Sequence, residues 1–208
     1  VLEILTGTGL AFAAGLNAWI PLLLIGALDR FTGLIELPAG WAWLSNEWVL
    51  VILAALLVIE FVADKVPGVD SVNDVIQTVI RPTSGGLAFG SGSASTTVAV
   101  TDPAAFFSSN QWVPVVAGIV IALLVHLAKS SIRPLITATT AGLGGPVASV
   151  VEDLGSIAMS LFAIILPVLV IIGIAGSIVG VILIARRLLR KRRRPSPEGP
   201  GLPVSTSD

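Results

Sequence analysis

The sequence predicts an all-α, polytopic membrane protein with about four spanning helices, an amphipathic helix and two glycine-rich segments read as re-entrant halves of an inverted repeat. Three observations predict it. Of the 208 residues, 54% are hydrophobic and only 12% charged, more apolar surface than a soluble chain of this length can bury. The charges fall between long uncharged runs, Ile4 to Leu28, Trp48 to Ile59, Pro103 to Val125 and Leu154 to Ala185. Each can hold a helix, and roughly 20 residues cross the hydrocarbon. Finally, Arg186, Arg187, Arg190, Lys191, Arg192, Arg193 and Arg194 are seven of the twelve Lys and Arg residues. They follow the last run directly, where the positive-inside rule places a cytoplasmic anchor that also binds anionic lipid.

In chain order, the first run reads as one retained helix. A cleaved signal peptide is disfavoured because Glu3 stands where a basic region belongs and the uncharged run is too long. The connection 29–47 holds Arg30 against Asp29, Glu36 and Glu47, and Trp41, Trp43 and Trp48 suit either an interfacial aromatic belt or ordinary loop packing. The second run continues past Glu60 to Ala63. Residues 69–80 then place Val69, Val72, Ile76, Val79 and Ile80 at helical spacing, with Asp70, Asp74, Gln77 and Arg81 on another stripe. Such a helix either lies flat on the interface or lines a polar cavity. The third span covers 113–128. The last run exceeds one plain crossing, and Pro167 near its middle offers a break. Counting back from a cytoplasmic C-terminus, four crossings put both termini inside the bacterial cytoplasmic membrane and 29–47 outside.

The two glycine-rich segments are "RPTSGGLAFGSG" from Arg81 and "RPLITATTAGLGG" from Arg133, each opened by Ile-Arg-Pro. The four-span topology delivers them to opposite faces, as an inverted repeat would. On that reading Gly85, Gly86, Gly142, Gly144 and Gly145 line a constriction with Thr139 and Thr140, and Arg81 and Arg133 act on its inner and outer sides. Close helix packing through small residues is the competing reading. Glu60, His126, Glu152 and Asp153 are the ionisable groups within or beside the spans, which point to function when they have a named partner. Glu60 is expected to meet Arg81 or Lys65, and His126 to meet Glu152, Asp153 or Arg133, on opposite sides of the membrane. Asp64, Asp70, Asp74 and Gln77 form the polar helix edge; Glu60, Asp64, Asp70 and Asp74 could supply oxygen ligands to a hard cation, but a solvated acidic edge is the preferred reading.

Other chemistry is thin. There is no cysteine and one histidine, so a thiolate or ordinary zinc site is not expected, and no nucleophile, phosphate-loop or cofactor motif is present. The basic block has no aromatic or folded basic surface beside it, so no nucleic-acid partner is expected. The chain divides into a helical membrane domain over 1–185, the basic anchor 186–194 and a Pro- and Gly-rich tail 195–208 of disordered composition.

The ordered set "AAGLNAWIPLL", "EFVADKVPGVDSVNDVIQTVIRPTSGGLAFG" and "HLAKSSIRPLITATTAGLGGPVASVVEDLGS" is similar to the bacterial integral membrane proteins grouped as domain of unknown function 4126. The resemblance spans roughly residues 8–185. It implies a multi-spanning membrane protein and draws attention to Asn17, Glu60, Asp64, Lys65, Asp70, Asp74, Arg81, His126, Arg133, Glu152 and Asp153, without assigning any of them a role. The function expected from the residues is a small channel or secondary transporter for an ion or small polar solute. With so few spans it is expected to work as a homo-oligomer. The alternative is an assembly protein that packs its glycine faces against partner subunits. A membrane enzyme using Glu152, Asp153 and His126 as acid-base groups would need those three to converge on one outward cleft.

Overall fold

The computed structural model describes residues 2–32, 34–66, 69–94 and 112–192. The side chains of Asp70 and Ser71, of Ala185 and of residues 188–192 lie outside that description, as does the tail 195–208. The described residues form seven α-helices and a short 3-10 turn at Ala42–Ser45. The helices are α1 Leu2–Leu16, α2 Ile20–Phe31, α3 Glu47–Ala63, α4 Val69–Ser93, α5 Trp112–Thr139, α6 Gly144–Ile165 and α7 Leu169–Arg192. Of these, α5 and α6 are long and apolar enough to cross a membrane, while α1 and the apolar part of α7, Leu169–Ile184, are shorter.

The first apolar run is not one crossing. It breaks at Asn17–Trp19, and α2 folds back beside α1. Leu2, Glu3, Thr6 and Leu10 share a cavity of about 320 Å³ with Ile25 and Leu34–Leu37. A straight helix would hold Leu2 and Leu34 roughly 48 Å apart at 1.5 Å per residue. The two helices therefore form a V, closed at its open end by residues 34–37. Pro21 in the first turn of α2 has no N–H to lose there and favours a helix start. One consequence corrects the expected topology: residues 2–3 lie at the same end of the bundle as the connection 34–37, so the count that puts both termini on one side does not hold.

Helices α4, α5 and α1 form the centre, with α5 and α1 each antiparallel to α4. Along α4 and α5, Asp74 meets Arg133, Thr78 meets His126 and Gly85 meets Gly118 and Ala122. Along α4 and α1, Arg81 meets Gly15, Phe89 meets Gly7 and Gly92 meets Leu10. Helix α6 covers α1 with Ser156 on Ala13 and Ala163 on Gly9. The sequence-predicted break at Pro167 is present, and α7 turns back so that Gly173 packs on Met159.

Neither glycine-rich segment is a re-entrant loop. Residues 81–93 continue α4 without interruption, and Pro82 is carried within it. The glycines there serve close packing: a Cβ on Gly85 would collide with Ala122 Cβ and the Gly118 carbonyl, and one on Gly86 would sit 2.8 Å from Ile119. The second segment is the turn between α5 and α6. Ala141 and Gly142 take positive φ of 52° and 90°, the left-handed conformation that ends helices. Thr139 and Thr140 donate to Leu135 and Ile136 carbonyls, Thr140 also accepts from Gly144 N–H, and the turn is partly exposed. These residues cap a helix rather than line a constriction. The Ile-Arg-Pro pairs both lie inside helices, so they do not mark two re-entry points.

Gly85→Leu should lower the unfolding temperature of the purified protein, at a cost of about 1–3 kcal/mol for overpacking. Gly176→Leu should not, because no described residue lies within 4 Å of a Cβ at that position. Thermal unfolding of the two variants in detergent checks the contrast.

Candidate functional site

The break between α1 and α2 leaves backbone groups that water would satisfy in a surface loop, but here Asn17 and Ala18 are buried. Side chains from three other helices and from the hinge itself take that role. The Gly15 carbonyl accepts from Arg81 Nη1 at 3.2 Å, and the Leu16 carbonyl accepts from Lys129 Nζ at 3.1 Å. Ser156 donates to the Ala13 carbonyl at 2.9 Å. Asn17 caps the other half: its Oδ1 accepts the N–H groups of Trp19 and Ile20, and its Nδ2 donates to Asp153 at 2.9 Å. Cations thus stand at the C-terminal, negative end of α1, where the helix dipole favours them.

Around this hinge, three cations and four carboxylates form one connected network, and a fourth cation, Lys65, pairs with Asp153, which Asn17 ties to the hinge. Arg81, fully buried, pairs with Glu60 at 2.7 Å, and Lys129 pairs with Glu152 at 2.8 Å. Arg133 pairs with Asp74 at 3.3 Å, and Lys65 with Asp153 at 3.6 Å. Asp64 sits among them, and its Oδ2 lies 4.0 Å from Arg81, 3.8 Å from Lys129 and 3.5 Å from Arg133. Asn73 donates to its Oδ1 at 2.9 Å and Ser149 to its Oδ2 at 3.4 Å. Asp64 follows the last residue of α3, so a helix end delivers this carboxylate to the α4–α5 seam. Each of the three cations has a closer partner of its own; Asp64 is the one they share.

The arrangement corrects several sequence expectations. Arg81 and Arg133 do not stand on opposite faces, since both reach Asp64. Glu60 does meet Arg81, one of its two expected partners. His126 meets none of its expected partners: its Nε2 lies 3.1 Å from the Thr78 hydroxyl, one turn from Arg81 on α4. Glu60 and His126 therefore belong to one region, not to opposite sides. From Asp74 to Arg81 the polar edge of α4 is not solvated, while the Asp70 side chain lies outside the described residues. Gln77 and Arg81 are buried, while Val72, Val75 and Val79 on the other stripe are 62–73% exposed. Of the two openings expected for this helix, lining the polar interior is the one its packing matches. Glu152 and Asp153 face the network with Lys129 and Asn17 and share no outward cleft with His126.

Sequence reasoning missed Lys129 and Ser149 as members of the network. Lys129 had a signal, because it lies three residues after His126 and four before Arg133, which puts all three on one face of α5. Ser149 had none. Asn17 stood out only through the quoted family motif, and its capping role follows from the break.

With this geometry in place, comparison with known families can be stated. A profile described as Domain of unknown function (DUF4126) matches residues 4–187. The chain belongs to this family. No curated protein and no solved structure matches the chain significantly. The matched residues include every member of the hinge and the network, so the site lies inside the family domain.

Removing one partner of a buried pair leaves an uncompensated charge. Glu60→Ala should therefore destabilise the fold by about 3–5 kcal/mol, and Glu60→Leu with Arg81→Met together should cost less than either alone. Unfolding in a graded denaturing detergent would measure all three. Asn17→Ala should cost about 1–2 kcal/mol through the lost cap, read in the same assay, whereas Asn46→Ala, whose cap on α3 is exposed to solvent, should cost less.

Proposed function

We propose that the chain is a membrane-embedded secondary transporter for an ion or small polar solute, with the network around Asp64 as its working centre. The observation that carries this reading is a shared carboxylate beneath a broken helix. Three cations from two helices lie within 4.0 Å of Asp64 while each holds a closer partner. Such a set has two arrangements of similar composition, one with the cations on Glu60, Glu152 and Asp74, the other with a cation drawn to Asp64. Elements with two discrete pairings are what alternating access requires. Discontinuous helices meeting at a polar centre are also where secondary transporters bind their cargo.

A bilayer setting is supported by the inversion of the usual pattern. Val75 is 73% exposed and Ile172 67%, while Arg81 is 0% exposed; a chain in water buries the first kind and exposes the second. The end of the bundle carrying Glu3, Glu36 and Glu47 is acidic, which suits the outer face, and the basic residues from Arg186 onward suit the cytoplasmic face of a bacterial inner membrane. A transporter is favoured over a channel because the α4–α5 seam is polar only on one side of the network. From Asp74 to Arg81 it holds charged and amide groups, and from Gly85 to Gly90 it is sealed by close packing.

A second reading, an assembly protein, is favoured by α7. Gly176 and Gly180, four residues apart, have no described residue within 4 Å, and this is the spacing with which membrane helices dock on one another. Such docking would also serve a homo-oligomeric transporter.

Uptake into proteoliposomes across a panel of ions and small neutral solutes tests the proposal. Wild type should show saturable flux for one of them, and Asp64→Asn should lower it at least about tenfold, a loss of roughly 1.4 kcal/mol in barrier terms, while unfolding temperature confirms a folded variant. Flux unchanged in a folded Asp64→Asn variant would refute the proposed centre, and no flux above empty vesicles for any solute would favour the assembly reading.

A further inference from the structure

Beside the paired charges, the same region buries polar atoms that no described residue satisfies. Glu60 uses Oε1 on Arg81, but its Oε2 has no hydrogen-bond partner among the described residues. Gln77 Oε1, His126 Nδ1 and the Nε atoms of Arg81 and Arg133 are in the same state, and all five side chains belong to residues no more than 4% exposed. Buried polar atoms of this kind are few in folded proteins, and a group of them calls for an explanation, a bound water or ion among them. The helices bring their residues into one region: Arg81 of α4 bonds Glu60 of α3, Gln77 lies one turn before Arg81 on the same helix, and His126 of α5 meets Thr78 between them.

The charge of the network points to the sign of that species. Facing one another are Glu60, Asp64 and Lys65 at the end of α3, Asp74 and Arg81 from α4, Lys129 and Arg133 from α5, and Glu152 and Asp153 from α6. Five carboxylates oppose four cations, leaving one negative charge in a buried setting where unbalanced charge is costly. The C-terminal end of α1 adds partial negative charge. A divalent metal does not fit: among the described residues no three carboxylates or imidazoles converge as its ligands.

We infer that the polar seam where α3, α4 and α5 meet takes up one monovalent cation, with Glu60 Oε2 as its charged acceptor and Gln77 Oε1 and His126 Nδ1 as neutral ones. A proton, held on Glu60 and hydrogen-bonded to its neighbours, and an alkali ion share this chemistry. Taken with the transport reading, this is the coupling ion; as a binding site it stands without that reading.

The test uses purified full-length protein in detergent and needs no transport. Unfolding temperature is followed against NaCl and KCl, with choline chloride holding ionic strength, and separately against pH in choline alone. Saturable stabilisation of wild type by Na⁺ or K⁺ identifies an alkali ion. A rise in stability as pH falls, with no alkali response, identifies a proton. In either case Glu60→Gln should abolish the response. Gln77→Leu, which keeps every charge and serves if Glu60→Gln does not fold, should weaken an alkali ion's apparent affinity about tenfold or move the midpoint of the pH response by about one unit. The inference is overturned if wild type responds to none of the three cations, or if the Gln77→Leu and Glu60→Gln responses match wild type. Flux without such a response would leave the transporter and remove this site.

Discussion

Everything in this structure follows from a helix that stops in the interior. At Asn17 the first apolar segment breaks, and the carbonyls at the end of α1 and the amides at the start of α2 need partners away from water. A buried backbone group left unpaired costs on the order of 1–3 kcal/mol, so a break here requires side chains to be delivered to it. Arg81 and Lys129 reach the Gly15 and Leu16 carbonyls, Ser156 reaches Ala13, and Asn17 closes its own half. Buried cations in turn require carboxylates, and the ends and faces of α3, α4 and α6 supply them.

The glycines belong to the same logic from the other direction. Arg81 reaches α1 only because α4, α5 and α1 lie close together, and that spacing is set just above the network by Gly85, Gly118 and Gly15, whose added Cβ atoms would strike neighbouring backbone or side chains. Close packing seals one side of the α4–α5 seam, and the charged residues occupy the other. Apolar side chains crowd the exterior while the charged ones lie inside beside an apolar core, so in the bilayer setting proposed above cohesion between helices rests on packing and on the ion network more than on hiding apolar surface.

The sequence made the helical class, the Pro167 break, the amphipathic stripe of residues 69–80 and the Glu60–Arg81 pair legible. The pair was legible because few cations lie near Glu60 along the chain, and the stripe because periodicity survives in any solvent. What misled was the assumption that an uncharged run is a single crossing. Asn17 is the one amide in an uncharged run of 25 residues, and hydropathy averages it away; its meaning lies in Pro21 shortly after it, a helix-start signal. The opposed placement of Arg81 and Arg133 inherited that error, since a wrong crossing count inverts every later element. The glycine segments were ambiguous on composition alone, because small residues serve both loops and close packing, and only their contacts decide between the two.

The hinge is therefore the point to measure. The chain has no native cysteine, and Ile4 and Leu34 are both exposed, so spin labels can be placed at these two positions and their separation read by pulsed electron resonance in lipid. A folded-back hairpin predicts a distribution centred well below the roughly 45 Å that thirty residues of straight helix would span. A single population near that length would mean the first segment crosses unbroken, and the capped hinge with the network built on it would be wrong.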